Sequence, residues 1–337
     1  MRRWIVRLLV LLLVVLLAGP YLIPMPAVGV EAAALADADG YFIDVDGLST
    51  YVLERGDADS PPLLLLHGWG ASTFSWREQM TPLAEAGYRV IAFDRPPYGL
   101  SAKTGDTIPY TPLTLADFTA RVLDKLEIQK AVLVGHSQGG AVVGYFAVKY
   151  PERVEKVVFV SGALRPTDDP PVTGGGGNRV GAQMGMPPFV SGLLNFPPLA
   201  RWGQLAIRTF VQPDFGTNIL RSAYHDPNFI TPAIAEGYSR ALRVVGWDEA
   251  LLRQLQNSSF TAEPLTAAQI SAIAAPVMIV WGESDTWVPP IVGERLHELL
   301  PQAVYVTYPQ VGHLPHEETA AAFNADLLAF LEDASPS

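Results

Sequence analysis

Ala131-Val132-Leu133-Val134-Gly135-His136-Ser137-Gln138-Gly139-Gly140 is the stretch whose reading decides the fold. Residues 131–134 are apolar without a break, as in a strand buried on both faces, and residues 140–149 read as a helix. The chain has to reverse between them within a few residues, with a glycine on either side of Ser137. A turn that tight has no room for side chains at its flanks. A G-x-S-x-G placed between a strand and a helix therefore lifts the serine hydroxyl to the end of the sheet and aims helix N–H groups at negative charge developing there. The bare pattern is weak, but this placement makes it strong. A glycine-rich turn around an idle serine is the alternative, and the context disfavours it.

The same rhythm extends outward. Residues 41–45 and 50–53 look like a hairpin about Asp46-Gly47. Apolar strands are expected at 63–66, 89–93 and 157–160, with helices at 74–86 and 115–126 between them. Strands apolar throughout belong in a mostly parallel sheet covered by helices on both faces, so the fold class is α/β. The alternation stops at about residue 163 and resumes at 276, with strands at 277–281 and 304–308 and helices at 291–300 and 317–331. Between them lie the glycine run Gly174–Gly177 and two amphipathic stretches, 199–210 and 240–255. A loop that long without its own structure is improbable. The expected organisation is a core formed by 40–162 and 276–333, with a cap, or lid, inserted at 163–275.

Composition narrows the function. The 337 residues carry a net charge of −11, which argues against a nucleic-acid partner. With no cysteine, disulfides, thiol catalysis and cysteine-ligated metals are excluded. No phosphate loop, dinucleotide fingerprint or metal cluster is visible, so no cofactor and no metal is expected. At the N-terminus, Arg2, Arg3 and Arg7 precede an uncharged run that lasts until Glu31. Residues 1–36 therefore read as a signal anchor or a signal peptide plus linker. A retained anchor is preferred, because residues 4–23 are long enough to cross a bilayer. Cleavage at Ala34-Leu35-Ala36, giving a secreted protein, is the alternative. Either route puts the catalytic domain outside the cytoplasm. The expected partners are a small-molecule substrate and the membrane, with no protein partner evident.

Four further motifs follow in order: His67-Gly68-Trp69-Gly70, Asp94-Arg95-Pro96-Pro97-Tyr98-Gly99-Leu100-Ser101, Gly282-Glu283-Ser284-Asp285 and Val311-Gly312-His313. With the serine turn, they make residues 40–333 resemble the α/β-hydrolase superfamily, most closely its capped esterase, cofactor-free haloperoxidase and carbon–carbon hydrolase branches. Pro97 stands where the family pattern usually has glycine. The resemblance implies Ser137 as nucleophile, Asp285 as acid and His313 as base. Imidazole takes the serine proton during attack and returns it to the leaving group, while the carboxylate fixes the imidazole tautomer. Backbone N–H groups of Gln138 and Trp69 are the implied oxyanion hole, leaving both side chains free to line the pocket.

Rival residues have simpler expected roles. Asp168 and Asp169 lie too far into the insertion to be the acid of first choice. His316 is expected to pack or cap the last helix, His297 to be solvated and His225 to be structural. His67 and His136 are expected to support backbone turns, and Asp94 to order its own loop. Trp69, His136, Trp202, Phe210 and Trp287 are the candidate substrate contacts. Phe189, Phe196, Phe215 and Trp247 are further insertion aromatics, mostly the insertion's own core.

The expected activity is hydrolysis of a small to medium apolar carboxylic ester or lactone through an acyl-serine. The alternatives are a carbon–carbon hydrolase of diketone-type substrates, a perhydrolase-like side activity at the same site, and a ligand-binding receptor-like protein with slow turnover.

Overall fold

The computed structural model describes residues 2–105, 107–168, 192–211, 218–257 and 265–333. Asp169, Gly174–Gly177, Phe189 and Phe215 lie outside them. Helix α1 (Arg2–Ala18) is followed by β1 (Gly40–Val45) and β2 (Leu48–Arg55), which form the expected hairpin. Asp46 and Gly47 both take positive φ, 55° and 82°, as a two-residue turn between right-twisted strands requires. Then come β3 (Pro62–Leu66), α2 (Arg77–Glu85), β4 (Arg89–Phe93), α3 (Pro112–Lys125), β5 (Ala131–His136), α4 (Gln138–Lys149) and β6 (Val154–Val160). The described residues between β6 and β7 contain no strand of the sheet. They form α5 (Pro197–Phe210), α6 (Pro232–Ser239), α7 (Trp247–Gln256) and α8 (Ala267–Ser271). The chain continues through β7 (Val277–Gly282), α9 (Pro290–Leu299), β8 (Val304–Tyr308), α10 (Pro315–Glu318) and α11 (Ala320–Glu332).

The eight strands form one sheet in the order β1-β2-β4-β3-β5-β6-β7-β8. Pairing is antiparallel for β1–β2 and β2–β4 and parallel from β4 to β8. The unbroken apolar strands are explained by their two covered faces. In β3, Leu64 and Leu66 pack into the layer containing Phe118, Leu123, Val142 and Phe146. Leu63 and Leu65 pack into the opposite layer with Met80, Leu83, Phe323 and Leu327. β5, β6 and β7 alternate in the same way. All four leucines are fully buried, and burial of one such side chain contributes about 2 kcal/mol.

Element boundaries differ from the sequence pattern where the backbone turns sharply. The 74–86 helix begins as a short 3₁₀ turn, Thr73–Trp76, capped by the Ser72 hydroxyl accepting from the Phe74 N–H at 3.3 Å. The 240–255 stretch is broken by Gly246, whose left-handed φ of 84° ends one turn and starts α7. The last helix is interrupted at Thr319, whose φ and ψ of −129° and 44° are not helical. That break lets His316 and Glu317 both point inward from the short α10, while α11 packs against the sheet.

Helix α1 is exposed along its apolar length, and the stretch Arg3–Leu22 is long and apolar enough to cross a membrane. The linker after it is tied to the inserted segment. Val30 bridges Val244, and Asp37 pairs with Arg240 at 2.7 Å.

Candidate active site

The turn after β5 holds Ser137 at φ 51° and ψ −116°, outside the ordinary regions for an L-residue. Such a conformation costs about 1–3 kcal/mol and persists only where its surroundings impose it. Here they do. The Ser137 N–H donates to the Val160 carbonyl at 2.9 Å, and its carbonyl accepts from Gly140 and Ala163, each at 2.9 Å. The flanking glycines are obligatory: a Cβ on Gly135 would strike the Gly139 carbonyl, and one on Gly139 would strike those of Leu66 and His67. Ser137 is half-buried, and the other residues from Ala131 to Gly140 are buried.

Asp285 follows β7 and His313 follows β8, so both come from the same end of the parallel strands as Ser137. His313 Nδ1 lies 2.8 Å from Asp285 Oδ2. The other carboxylate oxygen accepts from the N–H groups of Trp287 and Val288 at 2.8 and 2.9 Å. With Oδ1 fixed by backbone, Oδ2 is committed to the imidazole. That sets the proton on Nδ1 and leaves Nε2 as an acceptor. The His313 backbone is held twice over. Its N–H donates to the Ala223 carbonyl of the inserted segment at 2.7 Å, and its carbonyl accepts from His136 Nε2 at 2.9 Å. Asp168 accepts from the Ala267 N–H at 2.9 Å and makes a loop contact there.

His136 differs from its expectation as a substrate contact. Its ring is buried between His313 and His316, with centroid separations of 4.8 and 4.6 Å, and it ties the serine turn to the His313 loop. His316 packs as expected, 4.5 Å from the Trp76 ring. Burial holds His67, His136 and His316 well below the usual imidazole range, so all three are neutral. His297 is half-buried and stacked on Tyr305 at 5.1 Å, where charged neighbours in sequence had implied a solvated ring. His225 is exposed, and its N–H donates to Glu318 at 2.8 Å.

The loop after β3 shows how its peptide planes are set. His67 Nε2 accepts from the Arg95 N–H at 3.1 Å, so Nδ1 carries the proton and donates to the Gly68 carbonyl at 2.7 Å. Arg95 Nη2 donates to the carbonyls of His67 and Gly68. A planar trans peptide points its N–H opposite to its C=O. Holding the Gly68 carbonyl inward therefore turns the Trp69 N–H the other way. Arg95 Nη1 and the Tyr98 hydroxyl both donate to Gln138 Oε1, each at 3.3 Å. The Gln138 side chain is thus buried and engaged, and is not free to line the pocket. Arg95 itself is fully buried, and burial lowers its guanidinium to about 10, which leaves it charged at neutral pH. Asp94 orders its loop as expected, accepting from Thr73 and Leu100 N–H groups, each at 2.6 Å. Around Pro97 the turn is closed by Tyr98 N–H to the Arg95 carbonyl at 2.7 Å, so the departure from glycine is absorbed locally.

Trp287 is brought to the site. Its ring lies 5.4 Å from that of His313, and its indole N–H donates to the Ser222 hydroxyl at 3.1 Å. Trp69 is half-buried in its loop. Trp202 and Phe210 are placed elsewhere: the Trp202 indole donates to the Leu16 carbonyl of α1 at 3.0 Å, and Phe210 is 72% exposed. Sequence reasoning gave no role to Arg95 or Glu317. The Glu317 carboxylate is buried and accepts from Arg77 at 2.7 Å, from Tyr224 at 2.8 Å and from the Tyr238 hydroxyl. Burial raises its carboxyl, with Arg77 opposing. An acid four residues past His313 was the only signal for it. The open cleft lined by Ile108, Tyr110, Asp117, Arg121 and Asn257 contains none of these residues.

A family model described as the alpha/beta hydrolase fold matches residues 61–320. The chain is an α/β-hydrolase. This α/β-hydrolase is 31% identical over 303 residues to the 2-hydroxy-6-oxononadienedioate/2-hydroxy-6-oxononatrienedioate hydrolase of Paraburkholderia phymatum, covering 81% of this chain and 88% of that protein. It is 28% identical over 303 residues to a bifunctional esterase/perhydrolase of Acinetobacter calcoaceticus, covering 87% and 99%. Two solved structures show the same fold. A meta-cleavage product hydrolase from Pseudomonas fluorescens has a TM-score of 0.69 at 23% identity, covering 88% of this chain and 98% of that one. A bacterial membrane phospholipase A has a TM-score of 0.66 at 24% identity, covering 98% and 100%.

Proposed function

We propose that this α/β-hydrolase cleaves a small to medium apolar carboxylic ester or lactone through an acyl-serine intermediate. The observation that carries the reading is the Asp285–His313 pair at 2.8 Å, at the same end of the parallel strands as a serine held at positive φ. Ser137 Oγ attacks the carbonyl carbon and its proton passes to His313 Nε2. The oxyanion is met by the N–H groups of Gln138 and Trp69. The tetrahedral intermediate collapses as His313 returns that proton to the leaving alcohol. Water, deprotonated by His313, then attacks the acyl-serine, and as His313 gives that proton to Ser137 Oγ the acid leaves and the free serine is restored. The inserted segment serves as a cap, and its Ser222 and Ala223 reach Trp287 and His313. Helix α1 is a retained anchor that keeps the domain outside the cytoplasm.

Carbon–carbon cleavage of a ring-fission product is the second reading, favoured by the 31% identical relative of that activity. The test uses the full chain in detergent, beside Ser137→Ala, on p-nitrophenyl esters of graded length and on a vinylogous diketone acid. Ester turnover lost by about 10⁴-fold or more in the variant supports the first reading. Turnover of the diketone alone transfers the assignment to the second. A folded chain inert on both, yet binding an ester tightly, favours the receptor-like alternative.

A further inference from the structure

Helix α5 of the inserted segment is fastened to the end of α1. The Trp202 indole donates to the Leu16 carbonyl at 3.0 Å, and its ring lies against Gly19. Arg201 donates to the carbonyls of Pro20 and Ile23 at 2.8 and 3.1 Å and sits over the Tyr21 ring. Arg208 donates to the Pro26 carbonyl at 2.7 Å. Leu16 is inside the apolar span Arg3–Leu22. When α1 crosses a bilayer, Trp202 is consequently held at the level of its last turn, where lipid tails give way to headgroups. An indole, apolar with one N–H donor, is suited to that boundary.

The rest of α5 fits the same placement. Leu199, Trp202, Ala206 and Phe210 recur at three- and four-residue spacing, which puts them on one side of the helix. Phe210 is 72% exposed, and Leu193 and Phe196, just before the helix, are 53% and 48% exposed. Gly203 and Ile207 face inward, Gly203 against Leu252, and Gln204 and Arg208 reach Asp248 of α7. The described residues of 192–257 carry six arginines against four carboxylates, although the whole chain has a net charge of −11. An amphipathic helix with aromatic and aliphatic residues outward, in a segment with an excess of arginines, is suited to an anionic lipid surface.

We propose that α5 lies in the headgroup layer of an anionic bilayer, with Leu193, Phe196 and Phe210 entering the boundary of the acyl chains. The partner of this face is the membrane itself. Docking brings the inserted segment, and the site beside it, to the lipid surface. The proposal rests on reading α1 as a retained anchor.

The chain has no cysteine, so single reporters are readily introduced. Full chains carrying Leu193→Cys, Phe210→Cys, Val10→Cys or Glu152→Cys would be labelled with bimane and reconstituted in vesicles of phosphatidylethanolamine and phosphatidylglycerol. Glu152 is exposed just before β6, at the opposite end of the strands from the site. Lipids with a doxyl quencher high on the acyl chain are expected to remove about half of the fluorescence at 193 and 210, and none at 152. A deep quencher should act on the probe at position 10. Phe196→Cys replaces Phe210→Cys should that variant misfold. A quenched probe at 10 with unquenched probes at 193 and 210 overturns the docking and leaves the anchor standing. Probes at 193 and 210 that are blue-shifted yet untouched by lipid quenchers overturn it in favour of a second copy of the chain. An unquenched probe at 10 overturns the anchor and the docking together.

Discussion

At the scale of single residues, the candidate site is held by side chains that do two things at once. Asp285 closes its own loop with one oxygen and orients His313 with the other. Asp285→Asn keeps an acceptor for the Trp287 and Val288 N–H groups but loses the carboxylate that stabilises imidazolium. It should lower kcat by about 10⁴-fold with little change in thermal midpoint, measured by ester turnover beside calorimetry. Arg95 spans the two backbone donors proposed for the oxyanion, gripping the Gly68 carbonyl on one side and Gln138 Oε1 on the other. Arg95→Met should cost about 10²–10³-fold in kcat with a much smaller change in KM, because the loosened donors matter mainly when negative charge develops. The three proposed catalytic residues were legible because each sits in a short motif at a strand end. Arg95 was not, although it lies inside a motif, because a buried guanidinium that donates to backbone carbonyls is recognisable only from the carbonyls around it.

At the scale of elements, the strand–turn–helix at Ser137 was readable because close packing of backbone on backbone leaves glycine no substitute. Gly139→Ala drives a Cβ into two carbonyls of the β3 end, and a loss exceeding about 4 kcal/mol is expected. Denaturant titration should find the variant unfolded or far less stable than the parent. The break at Thr319 was not readable. Residues 317–331 have a good helical pattern, and what interrupts it is the burial of Glu317 beside Arg77, a partner 240 positions away. Tyr224 and Tyr238 reach the same carboxylate from the inserted segment. Tyr238→Phe removes one hydrogen bond to a charged acceptor and should cost about 1.5–3 kcal/mol by denaturant titration. The described helices of the inserted segment were opaque in sequence for a related reason: they pack on α1, the linker, Phe74 of the core and one another, and none of them has a sheet strand of the segment to impose a period.

At the scale of the whole molecule, His67, His136 and His316 together set a stability profile with pH. Each is neutral when folded and returns to an ordinary value near 6.5 when unfolded. The unfolded chain takes up these protons first. Stability is therefore full above pH 6.5 and falls as the pH drops below it, by up to about 1.4 kcal/mol per pH unit for each ring. Asp94 and Glu317, whose carboxyls are raised by burial, act with the opposite sign and offset part of the slope. His316→Leu should flatten the acid limb by about one proton, read from thermal midpoints between pH 4 and 7. The mostly parallel sheet, its two helical layers and the strand-end location of the proposed site were legible because alternate leucines and valines need cover on both faces. The attachment of α1 was not. A signal or anchor is ordinarily read as a passenger, yet Leu16, Pro20, Ile23 and Pro26 all lend carbonyls to α5. The domain boundary therefore falls earlier than the linker implies. A recombinant form trimmed at Ala36 would carry Arg201, Trp202 and Arg208 stripped of these acceptors, and the shortest faithful version of the enzyme begins upstream of Leu16.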